Sequence, residues 1–340
     1  MFFFLFFVTN IFFSFILYSF LLRFNVENFV ENKVLLLSSL GIGPIVVSLI
    51  LYYSFLIAPN HSAQFYLTIV VFLYLVIAFC GCSHLKSKKL VKSAKIAITI
   101  QNGSLILIIG GMVFFYFKNI LPTPLIGHDI LNYAIVGEMI FKAKSLDPIW
   151  TRDFFNVGYT YKMTCAPAFS LLLTWEKIFN STFSGTQSDI YFRSVGAYYG
   201  WLIVSFQFYI VEKKNRWLAV FSCCALLTGL GFYQTLLIPH IDTFRIYFIV
   251  LSYYFLVSAV KKTDGLSIIL FGIVSGFSTY SHRIGLVLSI INYGVFFVMQ
   301  DNSLNKRIFN ITIVSILLLV LGGSHYLIDL LLGQGYWIQL

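Results

Sequence analysis

Runs of about 20 apolar residues, parted by short polar stretches, recur along nearly the whole chain, and this is the length an α-helix needs to cross a bilayer. Hydropathy predicts ten spans, near 2–22, 34–57, 65–83, 96–117, 194–211, 217–237, 246–260, 266–280, 284–299 and 308–330. The 266–299 region also reads as one long helix, because only a short polar break at Ser281-His282-Arg283 divides it. The alternating segments of about ten residues that mark a membrane β-barrel are absent. No stretch free of apolar runs is large enough to build a soluble core. The predicted fold is therefore all-α, a polytopic membrane protein of about ten transmembrane helices. It divides into an N-terminal three-helix segment, 1–95, and a transmembrane module, 96–340, which carries a long loop at 118–193. The first 22 residues have no Lys or Arg and no small-residue cleavage site, so they read as a retained span.

Loop charges orient the chain. Arg23, Lys33, the run Lys86, Lys88, Lys89, Lys92 and Lys95, then Lys213, Lys214, Arg216, Lys261, Lys262, Lys306 and Arg307 all fall in loops on one side. The short loops on the other side, 58–64, 238–245 and 281–283, hold only Arg245 and Arg283. The positive-inside rule puts the basic set in the cytoplasm and both termini outside. Topology thus accounts for the net charge of +10, and nucleic acid is not an expected partner. Lys86 to Lys95 is suited to anionic inner-leaflet lipid. Five cysteines, Cys80, Cys82, Cys165, Cys223 and Cys224, read as small hydrophobes, since Cys80-x-Cys82-x-His84 lacks the spacing and fourth ligand of a metal clip.

This orientation delivers polar chemistry to the outer face from three places. The loop 118–193 opens with Gly127-His128-Asp129-Ile130-Leu131-Asn132-Tyr133; later turns carry His240-Ile241-Asp242-Thr243-Phe244-Arg245 and Ser281-His282-Arg283. Within the loop, Ile130 to Ile140 reads as an amphipathic interfacial helix, with Ala134, Ile135 and Met139 interleaved with Asn132 and Glu138. Ala166 to Phe179 reads as a second such helix or a partial re-entry.

In order and sidedness these motifs resemble the GT-C membrane glycosyltransferases that use polyprenyl-phosphate-linked sugars, such as the dolichyl- and undecaprenyl-phosphate-mannose type. The resemblance covers about 96 to 330. It rests on Asp129-x-x-x-Tyr133 opening an interfacial helix, the stretch Ala166-Pro167-Ala168-Phe169-Ser170-Leu171-Leu172, Arg193 at the head of the next span, Asp242, and Ser281-His282-Arg283-Ile284-Gly285. Many relatives have a second acid directly after the first Asp, where this chain has Ile130, and three extra spans precede the shared module here.

The resemblance implies an inverting transfer of a sugar from a polyprenyl-phosphate donor to a glycan, lipid or protein acceptor, at the outer face of the cell membrane. Asp129 would be the general base and Asp242 would position the acceptor or share a metal. Arg283 and His282, with Arg245 behind them, would meet the lipid phosphate, whose charge grows in the transition state. His128, Tyr133 and His240 complete the expected substrate-binding set. No metal ligand set and no certain cofactor are predicted, a divalent cation being possible chemistry at the acids.

Simpler roles compete at each position. Asp129 suits a helix N-cap, Asp242 an ion pair with Arg245, and Arg283 a snorkelling interfacial anchor. His240 suits an interfacial histidine, Tyr133 a belt aromatic, and Glu138 and Asp147 solvated faces. The rival function is a transporter or flippase of a lipid-linked or anionic solute, which would place charge at midplane on broken helices.

Overall fold

The computed structural model describes residues 2–25, 30–82, 128–150, 167–185, 189–229, 231–232, 241–262 and 264–331. All regular structure among them is helical: α1 (Phe2–Phe24), α2 (Asn32–Ile57), α3 (Ala63–Cys82), α4 (His128–Ala143), α5 (Asp147–Trp150), α6 (Ala168–Phe183), α7 (Ile190–Glu212), α8 (Arg216–Thr228), α9 (Ile241–Lys262), α10 (Gly265–Ser281), α11 (Arg283–Met299), α12 (Leu304–Leu318) and α13 (Ser324–Leu331). A π-helical turn, Leu319–Gly323, joins α12 to α13.

Among the described residues six apolar helical stretches are long enough to cross a membrane: Leu5–Phe24, Asn32–Ile57, Ala63–Gly81, Phe192–Glu212, Asp242–Lys262 and Leu304–Leu331. Helices α8, α10 and α11 are apolar but shorter. The chain is thus a multi-pass helical membrane protein. The predicted span 96–117 lies outside the described residues. The 266–299 region is two helices, not one. Thr279 Oγ1 donates to Ser289 Oγ and Ser289 Oγ to the Ser275 carbonyl, so α10 and α11 fold back on each other about His282. The turn is tight enough that a Cβ on Gly285 would overlap the Ser278 carbonyl.

Side-chain register fixes the helix directions. Helix α1 runs antiparallel to α2, with Ser14 against Leu40 and Gly43. It runs parallel to α3, pairing Phe13 with Tyr74 and Arg23 with the Cys80 carbonyl. Helix α7 opposes α2, with Tyr199 on Gly41 and Lys213 bonded to Glu31. It runs parallel to α9, from Thr243–Gly196 to Tyr254–Phe206. Helix α10 opposes α9, Ser252 with Ser275 and Ser258 with Ser267. Arg23, Lys33, Lys213, Lys214, Arg216, Lys261, Lys262, Lys306 and Arg307 therefore gather at one end of the bundle. The 58–62 turn, the heads of α7 and α9 and the α10–α11 turn gather at the other. One continuous apolar core runs through the helices of 1–95 and the later ones alike. Of the cysteines described in full, Cys223 is buried and Cys80 half-buried, while Cys224 is exposed on the outside of α8.

Helix α2 organises the centre. It carries Pro44 in its middle, which has no N–H to give the Leu40 carbonyl four residues back. In hydrocarbon no water can serve that carbonyl, so another donor must. Tyr198 Oη supplies it at 2.6 Å, with Ser14 Oγ at 3.5 Å. Three more tyrosine hydroxyls serve carbonyls of the same segment: Tyr247 to Leu37, Tyr199 to Gly41 and Tyr74 to Gly43. The close approach requires a residue without a side chain at Gly41, where a Cβ would overlap the Tyr247 ring. Helices α3, α7 and α9 are thereby tied to the break in α2.

Replacing Tyr198 by Phe leaves the Leu40 carbonyl with only the long Ser14 contact. We expect a loss of about 1–2 kcal/mol in detergent unfolding. In a Pro44→Ala background, where an N–H is restored, that loss should shrink to near zero. Equal losses in both backgrounds would mean that the hydroxyl acts through packing alone.

Candidate functional site

The end of the bundle opposite the basic short loops is built around α4 and α6. Helix α4 lies on α6 through Tyr133, Val136, Ile140 and Phe141, all buried, while Leu131 and Ile135 face outward. The expected amphipathic helix is present, but its inward stripe follows the α6 contact, so Ile135 lies outside it. Gly137 allows the approach, since a Cβ there would meet the Ser170 carbonyl at 2.5 Å, and Thr174 Oγ1 donates to the Gly137 carbonyl at 2.9 Å.

Helix α6 enters the bundle. Every residue from Ala168 to Asn180 is buried. Ser48 Oγ donates to the Ala168 carbonyl and Trp175 Nε1 to Asn10 Oδ1. Ser48 and Asn10 lie about 12–14 Å, along α2 and α1, from the helix ends on this side. Of the two readings of this segment, partial re-entry is the one the packing matches.

Two adjacent charges of α6 go in with it. Lys177 Nζ lies 2.5 Å from Glu138 Oε2, and Lys142 Nζ lies 3.3 Å from Oε1 of the same carboxylate. Glu138 is thus held in an ion-pair network rather than on a solvated face. Burial alone would raise its carboxyl pKa, but Lys177 and then Lys142 outweigh that and hold it below the usual value. Glu176, 1% exposed, accepts the Phe192 N–H at 2.9 Å and so caps the first turn of α7, where an anion meets the positive helix end. Arg193 Nη2 pairs with Asp189 at 2.9 Å. One helix therefore fastens α4 on one side and α7 on the other by buried charge. The pattern offers Glu138 only as a solvated face and does not single out Glu176 and Lys177. Their signal was a Glu-Lys pair amid Leu171-Leu172-Leu173-Thr174-Trp175.

Phe169, at the head of α6, is the hub of this end. Tyr133 of α4 meets its ring edge-on at 5.3 Å, Phe192 of α7 lies at 4.6 Å and Phe244 of α9 at 5.8 Å. The second turn of α4 and the first turns of α7 and α9 thus meet at one ring. His128 and Asp129 open α4, a helical turn before Tyr133; their side chains lie outside the described residues. Tyr133 is buried against Phe169. His240 lies outside the described residues. Asp242, in the first turn of α9, receives Arg245 Nη2 on Oδ1 at 2.5 Å, both side chains about a quarter exposed.

The antiparallel register of α9 and α10, continued from Ser258–Ser267 and Phe248–Phe277, brings Asp242 level with His282 and Arg283. Neighbouring helices pack about 8–10 Å apart. His282 is buried and caps α11, its Nδ1 accepting the Ile284 N–H at 3.1 Å, which leaves the ring proton of the neutral form on Nε2. Arg283 is exposed at that turn. Among the described residues no three His, Cys, Asp or Glu side chains lie close enough together to hold a metal ion.

The fold and this end define a multi-pass helical membrane protein whose polar heads converge at one bundle end. No family model matches the chain, and no characterised protein or solved structure matches it either.

Glu138→Gln should destabilise the protein by about 3 kcal/mol or more, because it strands the buried Lys177 ammonium. Lys177→Met in the same chain should recover most of that, as read by thermal unfolding in detergent. The paired carboxyl has a lowered pKa, so its contribution is present above the unfolded carboxyl pKa and fades as pH falls through the folded one. Wild-type stability should therefore drop on the acid side, and the Glu138→Gln, Lys177→Met double variant should lack that part of the drop.

Proposed function

We propose that this protein is a GT-C-like membrane glycosyltransferase of about ten spans, moving a sugar from a polyprenyl-phosphate donor to an acceptor at the outer face of the cell membrane. The single observation that carries the reading is the meeting of the α4 and α9 heads at Phe169, with the α10–α11 turn level with Asp242. The positive-inside rule assigns this end to the outer face, since the basic loops end at the other.

In this reading Asp129 takes the proton of the acceptor hydroxyl as its oxygen attacks the anomeric carbon. The bond from that carbon to the lipid-phosphate oxygen breaks with inversion, and the phosphate leaves with the bonding electrons. Arg283, exposed at the α10–α11 turn, is the cation placed to meet that growing charge. Asp242 is already bonded to Arg245, which suits a part that orients Arg245 and the acceptor.

The test is transfer of radiolabelled sugar from polyprenyl phosphate in membranes bearing wild type or Asp129→Asn. Losing a positioned general base should lower turnover about 10²–10⁴-fold with unchanged thermal stability. Undiminished turnover would remove Asp129 as the base. Absence of transfer by wild type from every polyprenyl-phosphate sugar tried would remove the reading itself.

A further inference from the structure

Among the described residues the other end of α4 gathers three lysines against two carboxylates, Glu138 and Asp147. Lys142, Lys144 and Lys177 cluster about one carboxylate, Glu138, whose two oxygens are taken by Lys177 and Lys142. Among the described residues Lys144 has no carboxylate at salt-bridge distance and lies instead over the Phe141 ring, 3.4 Å from its centroid. Among the described residues the other charged or titratable groups nearby are Asp147, which accepts the Ser145 hydroxyl at 2.8 Å, His61, stacked on Phe65 at 4.2 Å, and Tyr66.

The chain holds Lys144 in place. Its backbone has a φ of 54°, and its carbonyl accepts the Asn60 N–H at 2.8 Å and the Tyr66 hydroxyl at 3.2 Å. The turn between α2 and α3 thus clamps it at the bundle end, the depth of lipid head groups. Lys142 is open beside it, its side chain 70% exposed. Burial outweighs the attraction of Glu138 and lowers the Lys144 ammonium to about 8, as expected where a cation has no anion of its own.

We propose that Lys142 and Lys144 form a binding site for the phosphate group of a membrane lipid. The lysines present compact ammonium donors suited to a phosphate, and the buried Phe141 ring lies directly under Lys144. This site is separate from the proposed reaction centre, since Lys142 stands about 20 Å along α4 from Asp129. It does not rest on the glycosyltransferase reading.

The full chain would be reconstituted in phosphatidylcholine bilayers containing a minor fraction of phosphatidylglycerol, then released for native mass spectrometry. Wild type should retain phosphatidylglycerol, and Lys142→Gln with Lys144→Gln should lower the retained ratio about ten-fold or more. Lys261→Gln with Lys262→Gln removes the same charge at the opposite end and should leave that ratio unchanged. Inorganic phosphate that stabilises wild type, but not the Lys142, Lys144 variant, in lipid-free detergent would confirm the site and make free phosphate its source. Equal retention by the two double variants, with no phosphate effect, would overturn the site. A variant that failed to fold would be replaced by Lys144→Arg, which keeps the charge and should keep the lipid. A second readout is competitive acylation of Lys144 against pH. Its midpoint should lie near 8 in phosphatidylcholine and move upward when the anionic lipid is added.

Discussion

A proline in the middle of a membrane helix leaves a carbonyl that hydrocarbon cannot solvate, and much of this bundle is arranged around that fact. The Leu40 carbonyl opposite Pro44 is served by Tyr198, and the carbonyls of Leu37, Gly41 and Gly43 by Tyr247, Tyr199 and Tyr74. The four hydroxyls come from three helices, two of them from α7, so satisfying one break fixes α3, α7 and α9 about α2. The rings that carry those hydroxyls also fill the core. Tyr199 stacks edge-on to Phe244 and Tyr247, and Phe244 reaches Phe169. The polar demand at midplane and the aromatic hub at the bundle end belong to one packed system.

Helix α6 shows the same logic applied to charge. Burying Glu176 and Lys177 is costly unless each has a partner, and each does, on opposite neighbours: the α7 head and Glu138. A re-entrant helix made only of apolar residues could slide or rotate in its slot. Two directional charged contacts set its register, and with it the position of Phe169, against which the heads of α4 and α9 are placed. Precision at the proposed site is in this sense supplied by residues that would touch no substrate.

Six of the ten spans were legible because a bilayer imposes a length on apolar runs, and the alternation of the described basic loops matches the helix directions seen here. The amphipathic character of α4 was also legible from its mixed composition. The two-helix form of 266–299 was not settled by hydropathy, since the break depends on His282 capping α11 and on the contact of Gly285 with α10. Nor was the burial of α6, because Glu176 and Lys177 argue for a surface until their partners are known, and both partners lie elsewhere in the chain. Of the site, the order of motifs and their common sidedness could be read. The Asp242–Arg245 pair could be read too, as the simpler role for that acid, and it is present at 2.5 Å.

The broken helix in α2 bears on the choice between transferase and transporter. Transporters use unwound or broken helices at midplane to offer carbonyls and helix ends to an ion or substrate. Here the carbonyls around Pro44 are occupied by tyrosine hydroxyls, and the residues on both sides are buried. Such a break is closed to solute. The buried charges of α6 are each paired, and the other charges considered for the site sit at the head of α9 and at the α10–α11 turn, where the proposed reaction would need them. A midplane break sealed by side chains, with polar heads converging at one end, fits chemistry at the interface better than passage through the bundle.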